Sequence, residues 1–119
     1  MTKLLALAVI LTTIGCGAGY GSSPSSPSST VSADVTIQIQ GDRGNQSFAP
    51  SPTTVRVGQT VAWKNADSIA HDTTQDASRF GTGTLNAGTT SNAITMSTAG
   101  TFTYHCAIHP GMTGTITVQ

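Results

Sequence analysis

Apolar and polar residues alternate with a period of two over much of the chain. Residues 34–40 put Val35, Ile37 and Ile39 on one face and Thr36 and Gln38 on the other. Residues 54–57 set Val55 and Val57 on one side, Gly58 and Gln59 make a turn, and residues 60–65 resume with Val61 and Trp63 inward. Residues 89–96 carry Ile94 and Met96, residues 101–106 align Phe102, Tyr104 and Cys106, and residues 113–119 turn Ile116 and Val118 inward. Such alternation predicts strands buried on one face. Segments rich in Gly, Pro, Asn and Asp, at 41–45, 50–52, 65–67, 86–88 and 99–100, separate them. Short strands at this spacing predict an all-β, two-sheet sandwich.

The front of the chain breaks the pattern. Met1-Thr2-Lys3 is a short positive start, and residues 4–14 are an apolar run. The run is too short for a membrane span, which takes about 20 apolar residues, and it fits the apolar region of a secretory signal. It ends at Thr13-Ile14-Gly15-Cys16. That ending resembles a bacterial lipoprotein signal, in which the Cys is acylated and becomes the new N-terminus; Thr13 stands where the pattern usually has Leu. The resemblance implies a lipid on Cys16 that holds the protein at a membrane surface without a spanning helix. Gly17, where an Asp would mark inner-membrane retention, implies outer-membrane sorting in a Gram-negative cell. Cleavage at Gly17-Ala18-Gly19 is the alternative and would leave a soluble periplasmic protein. The expected organisation is a signal at 1–15, a Gly/Ser/Pro-rich tether at 16–32 stiffened at Pro24 and Pro27, and one domain at 33–119.

Composition narrows the classes. Five Lys and Arg balance five acids, which removes the basic footprint of a nucleic-acid binder. All the acids are Asp, Leu85 is the only Leu after residue 15, and Thr occurs 21 times, so good helix formers are scarce and β-branched residues plentiful. A domain of this size has a marginal apolar core, and if Cys16 is acylated no disulfide remains to brace it.

Cys106 is then a lone thiol in an exported domain, which needs an explanation. Its neighbourhood reads Tyr104-His105-Cys106-Ala107-Ile108-His109-Pro110-Gly111-Met112, a C-x-x-H-x-x-M turn between two strands. His71 follows the Trp63 strand. One thiolate, two imidazoles and one thioether are the donor list of a blue-copper centre, with His₂Cys in a plane and a weak axial Met. His105 adjoins Cys106, but strand alternation turns it to the opposite face, so it is not a candidate ligand. Trp63, Phe102 and Tyr104 read as core aromatics, and Asp67, Asp72, Asp76 and Arg79 as a polar surface loop.

With these residues the sequence resembles the cupredoxins, the small blue-copper proteins that include plastocyanin, pseudoazurin and amicyanin. The likeness covers essentially residues 33–119. It rests on Ser47-Phe48-Ala49-Pro50, Val57-Gly58, Val61-Ala62-Trp63-Lys64-Asn65, Ala70-His71, Gly100-Thr101-Phe102 and the short, amicyanin-like turn from Cys106 to Met112. It implies a Greek-key β-sandwich holding one copper ion on His71, Cys106, His109 and Met112. It also implies an electron port at the outer edge of His109, flanked by Ile108, Pro110 and Gly111. One residue departs from the pattern: Asp72 stands where the best-known members have an Asn that ties the two ligand loops. An ionised carboxylate accepts hydrogen bonds but cannot donate them, and such outer contacts tune a metal's potential.

The leading expectation is a monomeric one-electron carrier, cycling Cu(I)/Cu(II) outside the cytoplasmic membrane and meeting redox protein partners through small, weak interfaces. Copper storage or delivery uses the same ligands and is the alternative. An enzyme with Cys106 as nucleophile and a His as base leaves Met112 unexplained, so no enzymatic activity is expected.

Overall fold

The computed structural model describes residues 32–119. The expected signal, Cys16 and the tether lie outside the described residues. Eight strands follow in chain order: β1 Val35–Ile39, β2 Phe48–Ala49, β3 Thr53–Val55, β4 Thr60–Asn65, β5 Thr74–Gln75, β6 Ile94–Thr95, β7 Gly100–His105 and β8 Thr113–Val118. Among the described residues one 3₁₀ turn, Gly44–Gln46, interrupts them. They form two four-stranded sheets, ordered β2-β1-β4-β6 and β3-β8-β7-β5. The all-β, two-sheet expectation holds.

The chain changes sheet repeatedly, so neighbours in space are distant in sequence. β1 runs parallel to β4, pairing Val35 with Val61 and Ile39 with Asn65. β3 runs parallel to β8, pairing Thr53 with Ile116 and Val55 with Val118. β7 and β8 are antiparallel along their whole length, from Gly100–Val118 to His105–Thr113. The inward faces meet in one core that includes Ile37, Ile39, Val61, Trp63, Tyr104, Cys106, Met112 and Ile116. Its centre is aromatic. Tyr104 meets Phe48 edge-on at 4.8 Å and Trp63 edge-on at 5.6 Å, and each such pair adds about 0.5–1.5 kcal/mol beyond its buried area. The Tyr104 ring crosses its paired residue Gly114 so closely that a Cβ there would sit 2.5 Å from the hydroxyl. Only glycine fits beneath the ring.

Three expectations need correction. Val57 is not inward: it lies beyond β3 and is 51% exposed. The chain leaves the sheet there because Gln59 closes a turn onto the Arg56 carbonyl and Gly58 takes φ +92°. The long strand expected over 89–96 shrinks to β6. Along its first half two backbone bonds to β4 remain, Asn65 N–H to the Thr89 carbonyl and Ser91 N–H to the Trp63 carbonyl, both 2.8 Å. The Trp63 N–H, however, goes to the Ser91 hydroxyl at 2.9 Å, so a side chain takes the place of the next ladder carbonyl. Phe102 is only partly buried, packed on the rim of the core. The two-residue strands β2 and β5 carry too little alternation to be seen in the sequence.

One pairing decides where the chemistry lies. β5 is antiparallel to β7, with Thr74 opposite His105. One step forward from His105 is Cys106, and three steps back from Thr74 is His71. Both therefore reach the same end of the sandwich.

Candidate metal centre

His71 sits on a short bridge with Leu85, held by His71 N–H to the Leu85 carbonyl at 3.1 Å and the reverse bond at 2.7 Å. Asn65, fully buried at the end of β4, organises the loop between. Its side-chain amide donates to the Ile69 carbonyl at 2.7 Å and the Leu85 carbonyl at 2.9 Å, and its Oδ1 accepts the Asp67 N–H at 3.0 Å.

The second loop joins β7 to β8. It is closed by two backbone bonds, Cys106 N–H to the Met112 carbonyl at 3.1 Å and Met112 N–H to the His109 carbonyl at 2.9 Å. These return the chain on itself and leave Cys106 and Met112 both at 0% exposure.

The structure brings His71, Cys106 and His109 together, with one donor atom from each within 4.8 Å of the others. Cys106 Sγ lies 3.9 Å from His71 Nδ1 and 3.8 Å from His109 Nδ1. Bonds of about 2.3 Å to sulfur and about 2.0 Å to nitrogen, in a trigonal plane, would separate N from S by about 3.7 Å. The observed spacings fit one ion between the three atoms. The donors suit copper: a soft thiolate, two imidazoles and a buried thioether in the same turn.

Electrostatics hold the proton on the free thiol. Burial pushes the Cys106 thiol up, and the backbone N–H of Asp72, 3.4 Å from Sγ, pulls weakly the other way. A metal ion would displace the proton.

Asp72 follows the first histidine of the cluster, where the resemblance implied an Asn. Its Oδ1 accepts the Ala107 N–H at 2.5 Å and its Oδ2 accepts the Thr74 hydroxyl at 3.2 Å. A carboxylate makes this link between the two loops, because the bond needs only an acceptor.

Sequence reasoning missed other participants. Asp67, read as a surface residue, lies 2.8 Å from His71 Nε2. That hydrogen bond, with the Ser68 amide, holds its carboxyl below the usual range. Nothing in the spacing announces this, since four residues apart carries no directional meaning outside a helix. His105 points away from the cluster, as expected. Its Nδ1 meets Asp76 Oδ1 at 2.7 Å, and the Thr103 hydroxyl binds the other oxygen. Asp67 and Asp76 of the polar loop thus each pair with a histidine.

Each ligand loop exposes one isoleucine. His109 is partly buried, while Ile69 and Ile108 stand 50% and 47% exposed, one on each ligand loop.

Residues 35–119 match the family model of copper binding proteins, plastocyanin/azurin family. The plastocyanin of Scenedesmus fuscus is 37% identical over 98 residues, covering 72% of this chain and all of that one. The amicyanin of Paracoccus denitrificans is 33% identical over 69 residues, 55% of this chain and 53% of its own. Among solved structures, a purple cupredoxin from Nitrosopumilus maritimus superposes with a TM-score of 0.65 at 28% identity, covering 72% of this chain and all of that one. Fold, donor cluster and likeness agree: the chain belongs to the plastocyanin/azurin family of copper-binding proteins.

Proposed function

We propose that the protein is a one-electron carrier in which His71 Nδ1, Cys106 Sγ, His109 Nδ1 and the Met112 thioether hold one copper ion. The observation that carries this reading is the convergence of a buried sulfur and two Nδ1 atoms at 3.8 and 3.9 Å on a braced frame. Copper bound there would alternate between Cu(I) and Cu(II), supplying the electron. The chain's part is to keep the donors still. The Asn65 and Asp72 hydrogen bonds fix both loops, so the ligands have little freedom to relax when the charge changes. Four protein donors also leave no position for a substrate, which favours a carrier over an enzyme.

The His109 edge is the electron port in this reading, and Ile69 and Ile108 form an apolar rim for brief docking of redox protein partners. The carrier works as a monomer outside the cytoplasmic membrane. Cys16 carries the acyl anchor and residues 16–32 are the tether; the soluble periplasmic form would follow from cleavage beside Cys16 instead. Copper delivery would use the same donors, but a buried, pre-shaped site favours retention.

Cu(II) added to the purified protein should give an intense blue thiolate-to-copper band, absent in Cys106→Ser. Reversible voltammetry and fast electron self-exchange are expected of a carrier. Ready loss of copper to a chelator would instead indicate delivery. Mass spectrometry of the membrane fraction reads the acyl chain on Cys16 directly.

A further inference from the structure

The two imidazoles of the cluster are held differently. Among the described residues, His71 pairs with a carboxylate and His109 does not. His71 is completely buried, with Nδ1 turned toward Cys106 Sγ and Nε2 toward Asp67 Oδ2 at 2.8 Å. A neutral imidazole carries one N–H and one lone pair. If Nδ1 is to offer its lone pair to a metal, the proton must sit on Nε2, and a buried N–H needs an acceptor. Asp67 is that acceptor, and its side chain keeps only 25% of its exposure.

Asp67 is itself held from several sides. Its own N–H binds Asn65 Oδ1 at 3.0 Å, and its Oδ1 takes the Ser68 N–H at 2.7 Å. Oδ2 also passes 3.2 Å from where a Cβ on Gly41 would stand, and Gly41 has φ +106°. A side chain at 41 would crowd the carboxylate, so the loop after β1 leaves room for it.

We propose that Asp67 is a positioning residue for the copper centre. It fixes His71 as the Nε2–H tautomer, and its negative charge, acting through that hydrogen bond, makes Nδ1 a stronger donor and biases the site toward Cu(II). This rests on the copper reading above. Carboxylate–histidine–metal chains fix ring orientation and raise ligand basicity, and removing the outer member typically costs 10–100-fold in metal affinity or activity. The more highly charged ion gains most from an added negative charge. Asp67 therefore lowers the reduction potential relative to a site whose two imidazoles both lack such a partner.

The test uses the full chain, wild type beside Asp67→Asn and Asp67→Ala. Asn keeps an acceptor and removes the charge; Ala removes both. Wild-type protein, metal-free and as diamagnetic Cu(I), should show a hydrogen-bonded His71 Nε2–H in ¹⁵N-edited NMR. With copper bound and the blue band retained, Asp67→Asn should weaken Cu(II) relative to Cu(I) about tenfold, raising the potential by about 59 mV for one electron. Asp67→Ala should raise it at least as far and lose the protected Nε2–H. Unchanged potentials in blue variants would overturn the proposal, and so would a wild-type His71 protonated at Nδ1. A variant that fails to fold does not remove the test, since the tautomer is read in the wild type. A wild type that takes up copper without turning blue counts against the copper reading, while the metal-free tautomer still decides for or against Asp67.

Discussion

The carboxylate of Asp72 accepts the backbone N–H of Ala107, 35 residues further along the chain. This bond joins the loop that carries His71 to the turn that carries Cys106, and it places a carboxylate close to the Cys106 sulfur. Asp72→Asn keeps an acceptor for the Ala107 N–H and removes the charge. The variant should remain blue with a raised potential, by about 59 mV if the ratio of Cu(II) to Cu(I) affinity falls tenfold. Protein-film voltammetry on the two proteins reads this. Asp72→Ala should also cut the link and release copper faster.

Asn65 governs the first loop. Replacing it with Ala strands the Ile69 carbonyl and the Asp67 N–H, and leaves the Leu85 carbonyl with the His71 N–H alone. Leaving buried polar groups unpaired costs about 1–3 kcal/mol each, and part of that is recovered where water reaches the loop. A loss of about 2–4 kcal/mol in urea unfolding is expected. A shift in His71 resonances should accompany it, because the loop no longer fixes the ligand.

Tyr104 predicts an alkaline limit. Burial pushes its phenol up to about 12, against about 10 for a free tyrosine. The fold favours the neutral form, so this contribution is complete below about pH 10 and disappears as pH rises through 12. Two units correspond to about 3 kcal/mol. Phenolate absorbance at 295 nm should therefore rise for Tyr104 only near pH 12, together with loss of the β-sheet signal. The hydroxyl has no hydrogen-bond partner among the described residues. Tyr104→Phe should therefore fold with equal or greater stability, by up to about 1 kcal/mol, and lack this transition.

The apolar rim predicts a purely kinetic variant. Ile108→Lys leaves the four donors in place and adds a charge at the proposed port. Its potential should stay within a few millivolts of the wild type. Electron self-exchange, measured by NMR line broadening in mixtures of reduced and oxidised protein, should slow about tenfold or more at low salt and recover partly as salt screens the added charge.

The sequence made the donors legible before the frame that holds them. Cys106, His109 and Met112 stand out because three soft or nitrogen donors crowd one short turn, and His71 stands out because few other histidines compete. The strands with clean alternation, β1, β4, β7 and β8, could be read for the same kind of reason: one face is buried and the other, Ala62 of β4 apart, is made of residues that reach water at least in part. Val57 could not, because alternation continues through a residue where the backbone has already turned. Nor could the strand expected at 89–96, where the Ser91 hydroxyl does the work of a ladder carbonyl. Asp67 was invisible for a deeper reason. Its partnership with His71 depends on a loop shape set by Asn65 and Gly41, and neither spacing nor composition encodes that shape.

Cys106 is fully enclosed, and that has meaning for the protein before any metal arrives. Thiols are oxidised as thiolates and only where an oxidant can reach them. A sulfur at 0% exposure with its proton held on meets neither condition. A freshly folded copy in oxidising surroundings would thus stay a reduced, unlinked thiol, neither coupling to a second copy nor climbing to sulfenic acid. The core that shapes the donor cluster also serves as its storage vessel.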